Sequence, residues 1–189
     1  MMTFSAPAKI NLTLEVLAKR PDGFHEIRSV IQTINLCDSL SLQLGQGIEF
    51  KCDAPDWVPE ESLLSKAVGL LRKTTGCSKG VAIKLSKRIP LVSGLGGDSS
   101  GAAAILRGLN ELWGLGLSKK DLLGLALQLG SDVAFFFYGG TAVVQGRGEV
   151  VTPLPSLPHI WVTLVVPHVP RPPKKTERLY TSLKPAHYT

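Results

Sequence analysis

The sequence predicts an α+β domain in which a mixed sheet packs against helices. Three observations predict it. Several stretches of the first half alternate apolar and polar residues with a period of two, the pattern of half-buried strands. The middle of the chain places apolar residues three and four apart, the pattern of helices with one buried face. The two kinds of element mix without strict β-α alternation. With 189 residues, 44% of them hydrophobic, the chain is long enough to bury a core without staples.

Leu12, Leu14 and Val16 alternate with Thr13 and Glu15 and form the first expected strand. Ile27 to Leu36 is rich in β-branched residues, and Leu40, Leu42 and Leu44 alternate again after Asp38 and Ser39. Pro59 can open a helix whose apolar face is Leu63, Leu64, Ala67, Leu70 and Leu71, with Gly76 to end it. Val81, Ile83 and Leu85 give another strand. A helix is expected over 99–113, with Ala102, Ala103, Leu106 and Leu109 on one face. The next opens on Ser118 and Asp121 in a capping-box arrangement and runs to Gly130. Strands are expected at Phe135 to Tyr138, Thr141 to Gln145 and Ile160 to Val166. Pro153, Pro155 and Pro158 interrupt the chain before the last of these. The stretch from Pro167 to Pro173 reads as extended and exposed, and Lys174 to Leu183 as the start of a helix.

Lys and Arg outnumber Asp and Glu by 21 to 15, a net charge of +6, which favours anionic partners such as nucleotides or phosphorylated metabolites. The densest basic run, Arg171 to Arg178, is short and proline-rich and lacks interleaved aromatics, so it makes a poor nucleic-acid groove. Cys37, Cys52 and Cys77 are odd in number and form no C-x-x-C pair, which argues against a disulfide framework and for a reducing compartment. Lys9 and Asn11 interrupt any early apolar run, and the strongly apolar Ile160 to Val166 is too short to span a bilayer. A cytoplasmic protein with no membrane or nucleic-acid partner is the expectation.

The sharpest feature is KRIPLVSGLGGDSSGAAA at residues 87–104, between an expected strand and an expected helix. Pro90, Gly94, Leu95, Gly96, Gly97, Asp98, Ser99 and Ser100 form a turn in which residues without Cβ let main-chain N–H groups surround phosphate oxygens. The helix start adds unpaired N–H groups and a dipole that attracts anions. Two familiar phosphate loops do not fit. No lysine follows the glycines as a Walker loop requires, and position 99 is Ser where a dinucleotide fingerprint needs Gly. The plain alternative is a tight turn whose small residues serve packing.

Two further positions suit chemistry at such a loop. Lys9 and Asn11, two apart in a strand, point to one face, where an ammonium could stabilise a carboxylate or an incoming alkoxide. Asp132, between a helix end and three phenylalanines, could accept the proton of an attacking hydroxyl. Each also reads as an ordinary surface or capping residue when taken alone. Phe24 and His25, after the turn at Arg20 to Gly23, could stack on and hydrogen-bond a base, or could simply be a core aromatic and a turn histidine. Tyr180 could be a second stacking residue.

Taken in order, APAKINL at 6–12, RPDGFH at 20–25, the 90–104 loop, LWGLG at 112–116, LGSDV at 129–133 and GRGE at 146–149 resemble the GHMP kinase superfamily. They are closest to its members that act on a cytidine diphosphate conjugate of methylerythritol. The resemblance implies an N-terminal domain with a left-handed βαβ unit over 1–155 and the start of a second, truncated domain over 156–189. It implies ATP and Mg²⁺ at the 94–100 loop, Asp132 as the base and Lys9 as its charge partner. Asn11, Phe24, His25 and Tyr180 would surround a small-molecule substrate, with adenine near Trp57 to Lys66. Asp98 stands where the family commonly has Gly, and Gly101 where it has Asp or Asn. Phe24 stands for Tyr, Ser62 for Asn and Ala134 for Pro. Other small-molecule kinases of the superfamily, and a non-catalytic nucleotide- or RNA-binding domain, are the rival readings.

Overall fold

The structure, a computed structural model, describes residues 1–167 and 175–189, with side chains from 178 onward in the second stretch. Six strands form one sheet: β1 (Met2–Lys19), β2 (His25–Gly45), β3 (Ile48–Cys52), β4 (Gly80–Ser86), β5 (Thr141–Gly146) and β6 (Val150–Leu154). The spine is β2. It pairs antiparallel with β1 along one edge, and on the other with β4 through residues 39–45 and with β5 through residues 27–32. On the far side of β4 lies β3, and β6 flanks β5. Only β3 and β4 run parallel, and the helix α1 (Leu63–Thr75) connects them, so this is the βαβ unit of the fold.

Helix boundaries follow local chemistry. Ser62 Oγ accepts the Ser65 amide hydrogen at 3.2 Å and opens α1, and Gly76 at φ +68° closes it. The helix α2 (Gly97–Trp113) opens on Gly96 with no side-chain cap, which leaves its first N–H groups to other partners. The helix α3 (Lys119–Leu129) has the expected reciprocal Ser118–Asp121 box. A short fourth helix, α4 (Lys175–Thr181), falls where helix was expected. Ile31, Leu40, Leu42, Ile83 and Val144 of the sheet are buried in one core with the apolar faces of the helices, and α2 packs directly on β1 and β2. The central helix α2 buries Ala102 to Leu106 completely, and Gly108 lets it press on Leu42 and Phe4 where a Cβ would collide.

Several expectations need correction. The two expected strands at Ile27 to Leu36 and Leu40 to Leu44 are one continuous β2, because Asp38 folds its carboxylate inward instead of turning the chain. The short strands β3 and β6 carried too little apolar pattern to be seen. Ala134–Phe137 is a turn of 3-10 helix, not a strand. All four of its side chains are buried, whereas a strand at this place would turn alternate ones outward. Ile160 to Val166 forms no strand, since no described segment lies beside it to share hydrogen bonds, and Trp161 is 90% exposed. The expected extended stretch at Pro167 to Pro173 and most of the basic run lie outside the described residues. No described helix is long and apolar enough to cross a membrane.

Candidate active site

The glycine-rich loop is anchored where β4 ends. Lys87 Nζ meets Asp38 Oδ2 at 2.5 Å, and Asp38 Oδ1 accepts the amide hydrogens of Arg88 and Ile89 at 2.7 and 2.8 Å. Both side chains are buried, so the pair is costly to break and fixes the direction in which the chain leaves the sheet. Beyond it the backbone enters left-handed conformations at Val92 (φ +53°), Gly94 (+84°) and Gly96 (+75°). Val92 is the one β-branched residue so held among the described residues, and such strain concentrates at functional loops.

A cavity of about 330 Å³ opens over this loop. Pro90, Gly94, Gly96, Gly97, Asp98 and Ser99, six of the eight residues singled out from the sequence, line one wall. The opposite wall is Trp57, Val58, Glu61 and Ser62, within the segment expected to hold a base, with Lys87 at the floor. Two of the loop residues singled out from sequence do not line the cavity. Leu95 instead gives its carbonyl to the Lys9 amide at 2.8 Å, and so ties the loop to β1. Ser100 is buried, and its Oγ has no hydrogen-bond partner.

Asp98 and Gly101, the two departures from the family pattern, lie on the same side of α2. Asp98 Oδ2 accepts the Leu63 amide hydrogen at 2.9 Å, and so caps the start of α1 from the cavity wall. Partial removal from water pushes its carboxyl above the ordinary range, offset by the Leu63 N–H and then by Lys87 and Lys66. One turn on, a Cβ at Gly101 would stand 2.8 Å from Leu64 Cδ1. The absence of a side chain at 101 lets α1 approach this closely, and the carboxylate at 98 holds it there.

Lys9 and Asp132 meet across the sheet edge. Lys9 Nζ is 3.3 Å from Asp132 Oδ2; the lysine side chain is 9% exposed and the aspartate 39%. The lysine stem runs against the loop itself, because a Cβ on Gly96 would lie 3.0 Å from Lys9 Cγ and 2.9 Å from Phe136 Cζ. Only glycine fits there. The ion pair and the cavity therefore occupy two sides of one loop. As expected from the two-residue spacing, Asn11 shares the face, and its Oδ1 accepts from Lys9 Nζ at 2.8 Å. Asp132 is held in a turn braced from behind, where Gly148 packs directly on Ser131.

The aromatic residues assemble at the outer end of β1 and β2. His25 is buried between Tyr180 and Tyr188, at 5.3 and 6.0 Å between ring centres. The Tyr180 hydroxyl is pushed above its ordinary pKa by burial and then by the charge of Asp132, which brings this cluster within electrostatic reach of the ion pair. Phe24 is half exposed, and the Arg147 guanidinium stands over its ring at 4.9 Å. Sequence reasoning gave no role to Ser29, Asp38, Lys87, Arg147 or Tyr188. Of these, Lys87 opened the glycine-rich segment and Arg147 lay in the GRGE stretch, so both sat inside motifs that could have flagged them.

Residues 62–140 match the family model for the GHMP kinases N terminal domain. A 4-diphosphocytidyl-2-C-methyl-D-erythritol kinase from Dehalococcoides mccartyi is 55% identical over 97% of this chain. The chain belongs to the GHMP kinase family. A kinase of the same name from Geobacillus thermodenitrificans is 47% identical over 98% of the chain. The chain spans 64% of the length of each of these two relatives. Among solved structures, a 4-(cytidine 5'-diphospho)-2C-methyl-D-erythritol kinase superposes over the whole chain and 66% of its own, with a TM-score of 0.78 and 34% identity. A mevalonate kinase from Methanococcus jannaschii, at 14% identity and a TM-score of 0.61 over 81% of this chain and 55% of its own, shares the GHMP kinase fold alone.

Proposed function

We propose that this chain forms the nucleotide- and acceptor-binding part of a kinase that moves the γ-phosphoryl group of ATP onto a hydroxyl of 4-diphosphocytidyl-2-C-methyl-D-erythritol. The observation that carries the reading is the 3.3 Å pairing of Lys9 with Asp132 at the back of the glycine loop. The names of the relatives support the choice of acceptor. The geometry supports the following roles. Uncapped N–H groups at the start of α2 and the loop amides hold the triphosphate beside the cavity. Asp132, partly open to solvent, accepts the acceptor's hydroxyl proton as its oxygen bonds to the γ-phosphorus. The bond from that phosphorus to the bridging oxygen breaks, and ADP leaves with the electron pair. An ammonium has three hydrogens. Asn11 and Asp132 take two from Lys9, and the third is free for a phosphoryl oxygen.

No group of three or more His, Cys, Asp or Glu among the described residues could hold a metal ion. A magnesium ion that arrives on the nucleotide needs few protein ligands, and the unpartnered Ser100 Oγ is an oxygen that suits it. Bound there, it would screen the charge of the phosphoryl oxygens. Phe24, His25 and Tyr180 supply flat faces for a cytosine ring. Residues 1–155 form the N-terminal unit in this reading, and 156–189 begin the second. The three cysteines are all free, which suits the cytoplasm.

The test is ADP release by the intact protein with candidate alcohols. Turnover with the cytidine-linked alcohol, lowered about 10²–10⁴-fold by Asp132→Asn, is expected. Preference for homoserine or mevalonate, or full activity in that variant, overturns the reading.

A further inference from the structure

The ion pair is the visible end of a longer chain of contacts. Asn11 Nδ2 donates to Ser29 Oγ at 2.7 Å, and Ser29 Oγ donates to the Thr13 carbonyl at 2.5 Å. Ser29 lies on β2, fully buried and four residues beyond His25. We infer that Ser29 is a positioning residue for phosphoryl transfer: it orients the Asn11 amide, which in turn holds the Lys9 ammonium against Asp132. The inference rests on the kinase reading above.

The argument is one of hydrogen-bond direction. A serine hydroxyl has a single hydrogen, and here the Thr13 carbonyl takes it. Ser29 Oγ can therefore only accept from Asn11, so the amide must turn its NH₂ group toward Ser29 and its oxygen toward Lys9. The reverse orientation would set the amide oxygen against a hydroxyl with no hydrogen left, and the NH₂ group against an ammonium. Without the hydroxyl, the Lys9 ammonium alone still favours the amide oxygen, but the NH₂ end of Asn11 loses the acceptor that fixes its position. The amide is then anchored at one end only, and the ammonium it steadies shifts with it. A small displacement of a reacting group of this kind costs rate far more than affinity. Ser29 does not line the cavity, and its hydroxyl reaches the ion pair through Asn11.

The experiment compares Ser29→Ala, Ser29→Cys and Ser29→Thr in the intact protein. Cysteine keeps the volume with a poor acceptor, and threonine keeps the hydroxyl. The expected result is a kcat lowered about 10- to 100-fold in the Ala and Cys variants, with KM for ATP changed less than about threefold and with Thr restoring the rate. A second readout needs no turnover. In ¹⁵N spectra the Asn11 side-chain NH₂ should be protected from exchange in the parent and in Ser29→Thr, and should lose protection in Ser29→Ala and Ser29→Cys. Unchanged protection with unchanged kcat overturns the inference, as does a uniform loss of stability and KM without a selective fall in kcat. If no variant, parent included, turns over the cytidine-linked alcohol while the amide signals behave as described, the kinase reading fails and the orienting role of Ser29 stands.

Discussion

The approach of α1 to α2 at Gly101 can be tested by a double-mutant cycle with Leu64. Gly101→Ala places a methyl group 2.8 Å from Leu64 Cδ1, in a core where Leu64 is 1% exposed. Overpacking of this kind costs about 1–3 kcal/mol. The same change favours the helix by about 1 kcal/mol, since alanine replaces glycine within α2. The net effect in the parent is thus a loss of up to about 2 kcal/mol. In a Leu64→Ala background, itself destabilised by about 2–5 kcal/mol, the colliding atom is gone and Gly101→Ala should stabilise by the helix gain alone. The coupling energy is the difference, about 1–3 kcal/mol. Urea denaturation of the four proteins measures it, and thermal melts should follow at about 2–4 °C per kcal/mol for a chain of this size. An equal effect of Gly101→Ala in both backgrounds would refute the steric explanation for the glycine.

Three other perturbations probe the same region. Lys87→Met leaves the Asp38 carboxylate buried without its counter-charge and should cost about 3–5 kcal/mol by denaturant unfolding, with Asp38→Asn in the same chain recovering part of the loss. Gly96→Ala forces a left-handed residue into Lys9 and Phe136, and should both lower the melting temperature and cut ATP turnover. Asp98→Asn bears on pH. A carboxyl raised in the folded state binds its proton more tightly there than in the unfolded chain. The parent therefore loses stability as pH rises from the ordinary carboxylate range through the raised value. The asparagine variant should lack that loss, so its advantage over the parent should grow across this window and vanish in acid. Melts from pH 3 to 7 check the sign.

Much of the site was legible because its parts depend on short-range rules. The two-residue period that placed Lys9 and Asn11 on one face is obeyed at 2.8 Å, and the glycine loop stands where a strand meets a helix. What stayed hidden depends on partners far along the chain. Nothing near Asp38 announces that it will meet Lys87, and Ser29 looks like any serine in a strand until Thr13 and Asn11 are brought beside it. The phenylalanines at 135–137 misled for a different reason. A short apolar run has no period of its own, and its shape is set by the α2 and α3 surfaces that enclose it. Pro153 masked β6, since proline is tolerated in a sheet only toward an edge, and β6 is such a strand.

Lys9 emerges from the ribosome early, and Asp132 about 120 residues later, a separation typical of slow-forming, non-local contacts. The two groups meet only when β1 and the turn that follows α3 are both in place. A half-synthesised or clipped chain that has lost the segment after α3 would keep its glycine-rich turn but leave Lys9 without its acidic partner. Assembly order is in this sense written into the topology: the pairing of Lys9 with Asp132 arises only once β1 and the turn after α3 have been brought together.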